Sequence, residues 1–203
     1  MENIVIRPEK KEDYFDAEFM TKKAFWNLHK PGCDEHYLVH LLRDSEDYVE
    51  ELSRVAELDG KIVGGIYYSK AYILDGEDKV EILTFGPLCV EPEYQNKGIG
   101  GKLLKETINI ARDKGYQCIV IFGVPEYYPK HGFKTCDHFG ITTKDGKNFD
   151  AFMGYEIVPD AFLNVKGRFF ESEVFEQLNP DEVEEYDQKF PYMEKLVLPG
   201  QWQ

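Results

Sequence analysis

Residues 80–90 read VEILTFGPLCV, residues 91–102 read EPEYQNKGIGGK, and after a long amphipathic segment residues 118–123 read CIVIFG. In order these are a strand, a glycine-rich turn, a helix and a second strand. Gln95, Asn96, Lys97, Gly98, Ile99, Gly100 and Gly101 form the turn, and no acidic residue occurs from Gln95 to Leu104. Backbone N–H groups at such a helix start can face an anion, and the helix dipole favours negative charge there. The stretch is suited to hold a phosphate group. A glycine pattern alone does not say whose phosphate, because dinucleotide folds carry a similar one.

Working outward, the glycines follow an antiparallel meander. The runs 54–58 and 61–73 are joined by Asp59 and Gly60, a strong short hairpin signal. A second turn at residues 75–78 leads into the strand 80–90, where Pro87 predicts a bulge or a locally broken ladder. The helix from about 98 to 114 presents Ile99, Leu103, Leu104, Ile108 and Ala111 on one face, with Gly115 placed to end it. The run 118–122 is apolar throughout, as in a strand covered on both faces. With a helix between, it should lie parallel to 80–90.

Before the meander come a short strand at 4–7, a helix opened by Glu12 and Asp13, and a second helix with Asp34 as its expected cap. After it, GVPEYYPKHGF (residues 123–133) forms a short turn or helix, residues 133–136 a possible strand, and 149–157 a last strand. Residues 159–203 differ in kind. From Asp160 onward they hold ten acidic and four basic residues together with Phe162, Phe169, Phe170 and Phe175. Asn179 and Pro180 mark one helix start there. The aromatics predict an extension that packs on the domain formed by residues 1–158.

The chain has 203 residues, 42% hydrophobic and 31% charged, which is the composition of a globular protein with a substantial core. Its net charge of −14 argues against a nucleic-acid partner, which needs a basic face. It suits a cationic substrate, and also plain solubility. Cys33, Cys89, Cys118 and Cys136 form no C-x-x-C pair and read as small core residues of a reducing compartment. The opening MENIVIRP is unlike a secretory signal, and no apolar run approaches a membrane span, so a cytoplasmic protein with no membrane partner is expected, either monomer or homodimer.

The chain resembles the GCN5-related N-acetyltransferases (GNAT). Residues 95–100, QNKGIG, match that family's Q/R-x-x-G-x-G/A motif, and residues 128–133, YPKHGF, match its Y-x-x-x-G-F segment. GPLCV at 86–90 and GVPEYY at 123–128 resemble a bacterial subgroup of uncharacterised acetyltransferases. The resemblance covers about three quarters of the chain. It implies a mixed α/β fold, with a central, mostly antiparallel sheet, a splayed parallel pair formed by 80–90 and 118–122, and helices on both faces.

The resemblance also implies acetyl-CoA as cosubstrate and direct acetyl transfer to a primary amine of a small molecule. Its pyrophosphate would rest on Gln95, Asn96, Lys97, Gly98, Ile99, Gly100, Gly101 and Lys102, and its pantetheine arm on Leu88, Cys89 and Val90. Tyr128 takes the family's place as the acid for the departing thiolate. A thiol pKa near ~8.5 lies within reach of a phenol. Glu81 lies on the strand where the family often carries a carboxylate acting through water; Thr84 is as near by spacing, and bulk water is the remaining acceptor for the proton. In residues 25–40, FWNLHKPGCDEHYLVH, the family's acceptor mouth falls, which makes Trp26, Asn27, Glu35 and His36 candidate substrate contacts. His36 and His40 share a helix face near Cys33, but no further ligand accompanies them and the glutamate stands wrongly for H-E-x-x-H, so no metal is expected. Two other functions fit the same slot: a non-catalytic acyl-CoA sensor, and an acetyltransferase for peptide or protein amines.

Overall fold

A computed structural model describes residues 3–201 of the chain. They form a mixed α/β fold in two compact units. One unit holds the residues up to Tyr67, Pro87–Leu104, and those from Glu173 onward. The other holds Tyr68–Gly86 and Lys105–Ser172.

In the first unit, β1 (Ile4–Pro8) pairs antiparallel with β2 (Arg54–Leu58), and β2 with the start of β3 (Lys61–Asp75). The β2–β3 turn places Asp59 at φ 50° and Gly60 at φ 81°. Two successive left-handed residues match a tight hairpin, and Asp and Gly tolerate that geometry best. Helix α1 (Tyr14–Phe25) lays Ala17 and Met20 against Val55, Ile62 and Cys89. Helix α2 (Glu35–Leu42) lays Val39 and Leu42 against Tyr67. Gly64, of opposite strand parity to Tyr67, faces Ile99 and Leu103 of the next helix, α3 (Ile99–Asp113). Helices therefore cover both faces of β3 in this unit. Asp34 stands at the start of α2 as expected, but its carboxylate pairs with Lys30 and does not cap the helix.

The end of the chain packs here too. Helix α4 (Pro180–Asp187) is capped by Asn179, whose side-chain oxygen accepts the Asp181 N–H at 2.9 Å. Tyr186 and Phe190 bury themselves against Tyr37, Phe19 and Leu41.

In the second unit, the part of β4 (Asp78–Val90) up to Gly86 lies parallel to β5 (Cys118–Phe122), with Leu83 opposite Ile119. β5 pairs antiparallel with β8 (Phe152–Glu156), and β8 with β6 (Lys134–Thr135). Its core holds Ala71, Ile73, Ile82, Val120, Phe152 and Phe169. Helix α3 closes at Gly115, φ 88°, with the Tyr116 N–H reaching back to Ala111 O at 3.0 Å.

The structure differs from the sequence reading in three places. The expected strand 133–136 shrinks to the two residues of β6, because Cys136–Phe139 coil into a 3-10 turn. The expected strand 149–157 begins only at Phe152. Two short strands were not foreseen: β7 (Ile141–Thr143) and β9 (Gly167–Phe170), parallel to each other, with β9 also antiparallel to β3. Strands of three or four residues show no periodicity; their partners make them. β4 runs on as strand through Pro87. Among the described residues no helix is long and apolar enough to cross a membrane.

Candidate active site

The first unit carries the 95–101 turn, which the sequence reading assigned to a phosphate. A one-turn 3-10 segment, Pro92–Tyr94, hands the chain to Gln95, and α3 begins at Ile99. Asn96 at φ 58° and Gly98 at φ 83° bend the backbone into the left-handed region, where Gly98 carries no side-chain penalty. The first turn of α3 holds no acidic residue. The leading N–H groups of a helix lack partners within it, so they are offered outward. Gln95 steadies the turn by donating to Val90 O at 3.1 Å, and Lys97 by donating to Glu93 O at 2.8 Å. Lys102, expected beside the anion, donates to Ile4 O at 2.6 Å and so anchors α3 to β1. Gln95, Asn96, Lys97 and Gly98 are exposed, as ligand contacts need to be.

Leu88 and Val90 are half-buried and Cys89 is buried between them. The Cys89 thiol sits 3.4 Å from Thr21 Oγ1 and 3.8 Å from both Met20 Sδ and Gly65 O. Burial pushes it up to about 12, the Thr21 hydroxyl opposes that, and the Glu35 carboxylate adds to it. It is an inert, structural thiol. Cys33, Cys118 and Cys136 are likewise free and buried.

The 26–36 connection is occupied by the end of the chain. Trp26 Nε1 and Asn27 Nδ2 both donate to Glu194 O, at 2.9 and 2.8 Å. Asn27 Oδ1 accepts from Gly32 N and Leu196 N, and Gln201 Nε2 donates to Asn27 O. His36 is fully buried. Its Nδ1 lies 3.5 Å from Cys33 Sγ and its Nε2 2.9 Å from Asp187 Oδ1. Burial lowers His36 to about 4, partly offset by Asp187. His40 turns to a different partner, Glu18, at 3.3 Å.

Asp187 also receives Lys22 Nζ at 2.8 Å and Lys195 Nζ at 3.5 Å. The Lys22 side chain is 2% exposed and lies over the Trp26 ring at 4.5 Å. Sequence reasoning missed this cluster. Lys22 is far in the chain from Asp187 and Lys195, and a lysine inside an amphipathic helix reads as solvent-facing.

Glu35 begins α2. Its Oε2 accepts the Asp34 N–H at 3.2 Å, and burial raises its carboxyl to about 7.

The second unit carries Tyr128 and Glu81. Tyr128 is buried and precedes the 3-10 turn Pro129–His131. Its ring lies 5.9 Å from Phe85 and 5.3 Å from Phe133. Gly123 makes the room: a Cβ there would stand 2.3 Å from Tyr128 Cε2. The Glu81 side chain is 64% exposed, 3.9 Å from Lys70 Nζ.

The model of the Acetyltransferase (GNAT) family matches residues 22–133, a span that takes in both the 95–101 turn and Tyr128. The chain is 37% identical over 126 residues to the uncharacterised N-acetyltransferase YjhQ of Escherichia coli K12, covering 62% of this chain and 67% of that one. It is 30% identical over 134 residues to the uncharacterised N-acetyltransferase YhbS of the same organism, covering 66% and 78%. Among solved structures, a GNAT family acetyltransferase from Brucella melitensis in complex with acetyl-CoA superposes with a TM-score of 0.68 at 28% identity, over 86% of this chain and 99% of that one. YhbS from Escherichia coli in complex with CoA superposes with a TM-score of 0.77 at 24% identity, over 87% and 94%.

Proposed function

The chain belongs to the GNAT family of acetyltransferases, and on that premise we propose that it transfers acetyl from acetyl-CoA to a primary amine of a small molecule, by direct attack in a ternary complex. The observation that carries this reading is the turn before α3, with exposed Gln95–Gly98 residues, a left-handed Gly98 and a helix start without acidic residues. The Brucella relative's acetyl-CoA complex supports the choice of coenzyme.

In this reading the N–H groups of residues 96–101 hold the pyrophosphate, with Lys97 adding charge. Lys102 contributes through its backbone, since its ammonium is tied to Ile4 O. Leu88, Cys89 and Val90 receive the pantetheine amides as an added strand would be received. A strand N–H near Cys89 stabilises the tetrahedral oxyanion. Tyr128 gives its phenolic proton to the departing thiolate. Glu81, acting through water, or bulk water itself accepts the proton of the amine. Trp26, Asn27, Glu35 and His36 shape the acceptor side. Trp26 and Asn27 do so through their hydrogen bonds to residues 194–201, and His36 through Asp187.

We count residues 1–158 as the transferase domain and 159–203 as its extension, which contributes β9 to one unit and α4 to the other. The four buried thiols support a cytoplasmic setting.

Titration calorimetry with acetyl-CoA and with NADH tests the coenzyme, and tighter binding of NADH would sink the reading. Thiol release across polyamines, aminoglycosides, amino acids and peptides identifies the acceptor. Silence across every class favours a sensor, and activity confined to peptides favours a protein-directed enzyme. Tyr128→Phe should lower kcat by about 10²-fold or more with little change in acetyl-CoA affinity; unchanged turnover removes the role given to Tyr128.

A further inference from the structure

We propose that the acceptor is a small primary amine carrying a flat aromatic group, and that Phe122 and Phe149 hold its ring at the carboxyl end of β5. This rests on the transferase reading above and names the class of amine that the site takes.

A single exposed apolar side chain is ordinary, whereas a contiguous exposed patch marks a binding surface. In the second unit Phe122, Val124 and Phe149 are 46%, 51% and 48% exposed. The Phe122 and Phe149 rings are stacked, with centroids 6.0 Å apart and planes at 16°. Phe122 also stacks on Phe152, at 5.1 Å and 27°, and Phe169 meets it edge-on at 5.9 Å. Phe152 and Phe169 are buried. The two outer rings thus rest on a buried aromatic floor while about half of each stays in water. The backbone ties the same parts together: Gly123 N donates to Ala151 O at 2.8 Å, and Phe152 N to Phe149 O at 2.9 Å.

The shelf stands beside the proposed acid. Phe122 is the last residue of β5, a strand with a parallel neighbour, and ligands of such sheets sit outside the carboxyl ends of their strands. The next residue, Gly123, is the one against which the Tyr128 ring lies, with only 2.3 Å from its Cβ position to Tyr128 Cε2. Successive residues of an extended chain face opposite sides, with Cα atoms about 3.8 Å apart. The shelf and the phenol therefore flank one strand end. An amine on a short arm from a ring on the shelf can turn round that end toward Tyr128.

Size and charge select the occupant. The three side chains together expose roughly 250 Å², against roughly 800 Å² per partner in a stable protein interface. That suits a small molecule better than a second copy of the chain. Asp150 follows Phe149, Glu126 stands two residues after Val124, and both are exposed. These carboxylates favour an ammonium, and a ring face attracts a cation too. A polyamine or an aminoglycoside has no flat apolar face and gains nothing from stacking.

The transfer balances as in the reading above. The ammonium R–NH3+ gives one proton to water or to Glu81 through water, leaving R–NH2. The nitrogen lone pair forms the N–C bond to the thioester carbonyl carbon, and the C–S bond breaks. The thiolate takes the Tyr128 proton, and the new amide nitrogen gives up its extra proton to restore Tyr128.

The test compares 2-phenylethylamine, n-butylamine and spermidine as acceptors for wild type, Phe149→Ala, Phe149→Leu and Phe149→Tyr. Expected for wild type is a kcat/KM for 2-phenylethylamine at least about fivefold above that for n-butylamine, the factor that ring stacking supplies. Phe149→Ala and Phe149→Leu should lose most of that preference through a raised KM, with acetyl-CoA affinity within about twofold, and Phe149→Tyr, which keeps a flat ring, should retain it. Saturation-transfer NMR needs no turnover: the ring protons of 2-phenylethylamine should receive magnetisation from wild type and not from Phe149→Ala. A preference for spermidine or n-butylamine, an unchanged preference in both Phe149→Ala and Phe149→Leu, or a wild-type dimer that Phe149→Ala dissociates overturns the proposal. Failure of acetyl-CoA to bind wild type is instead the failure of the transferase reading, and the NMR contact then decides by itself whether the shelf takes the ring.

Discussion

Asp187→Asn removes the negative charge that the buried ammonium of Lys22 faces at 2.8 Å. At that distance, with an effective dielectric near 20, two unit charges attract by about 6 kcal/mol. Asn keeps the shape of the side chain and one oxygen acceptor, so part of the attraction survives as a dipolar hydrogen bond. Measured costs of breaking a buried pair run to about 3–5 kcal/mol, mainly because the surviving charge is stranded. With Lys22 only 2% exposed, and His36 losing the same partner, about 3 kcal/mol is expected. That is a large fraction of the stability of a typical domain. Urea unfolding at pH 7.5 measures it, with the slope checked for two-state behaviour. Because Asp187 ends α4, protease cleavage after residue 187 should speed up in parallel. The double variant Lys22→Met with Asp187→Leu strands no charge and should recover most of the loss. A cost below about 1 kcal/mol for Asp187→Asn, or a double variant as unstable as the two single losses summed, would refute the reasoning.

Two further outcomes follow from single residues. His36 is buried neutral, with its folded value near 4 against an ordinary 6.5. The unfolded chain therefore binds more protons between those values. The contribution is fully present above pH 6.5 and is lost as pH falls toward 4, by about 3 kcal/mol in all. Urea unfolding across that range should show the slope, and His36→Gln should flatten it; an unchanged slope assigns the acid sensitivity elsewhere. Gly123→Ala puts a methyl group 2.3 Å from Tyr128 Cε2, which forces the ring aside. The cost should be about 1–3 kcal/mol of stability, with turnover lost as in Tyr128→Phe and acetyl-CoA affinity intact. Wild-type kinetics in Gly123→Ala would show that the ring has room to spare.

The fold was legible where local chemistry and long-range structure agree. Asp59 and Gly60 turn β2 into β3 because few other residue pairs accept two left-handed conformations in succession. Ile99, Leu103, Leu104, Ile108 and Ala111 announce α3 by spacing, and all five are buried. The short strands β7 and β9 were not legible, because each acquires its extended form from a partner distant in the chain. Asp34 shows the same limit at a helix start: the residue type suits a cap, yet nearby Lys30 competes for the carboxylate and takes it.

For the site, the sequence by itself determined the conformation of the 95–101 turn. Its requirements are local: glycine where the backbone goes left-handed, no acidic side chain at the helix start, and a strand before it. It also determined the family, through the 95–100 and 128–133 motifs in their order. The state of residues 26–36 was decided only by tertiary structure. Trp26 and Asn27 are bound to Glu194 and Leu196, and Lys22 is buried against Asp187, across separations of more than 160 residues. Whether Glu35 is an ordinary surface acid or a carboxyl held near neutrality depends on which groups surround it once the chain has folded. Burial is a property of that surrounding volume, and no local pattern encodes it.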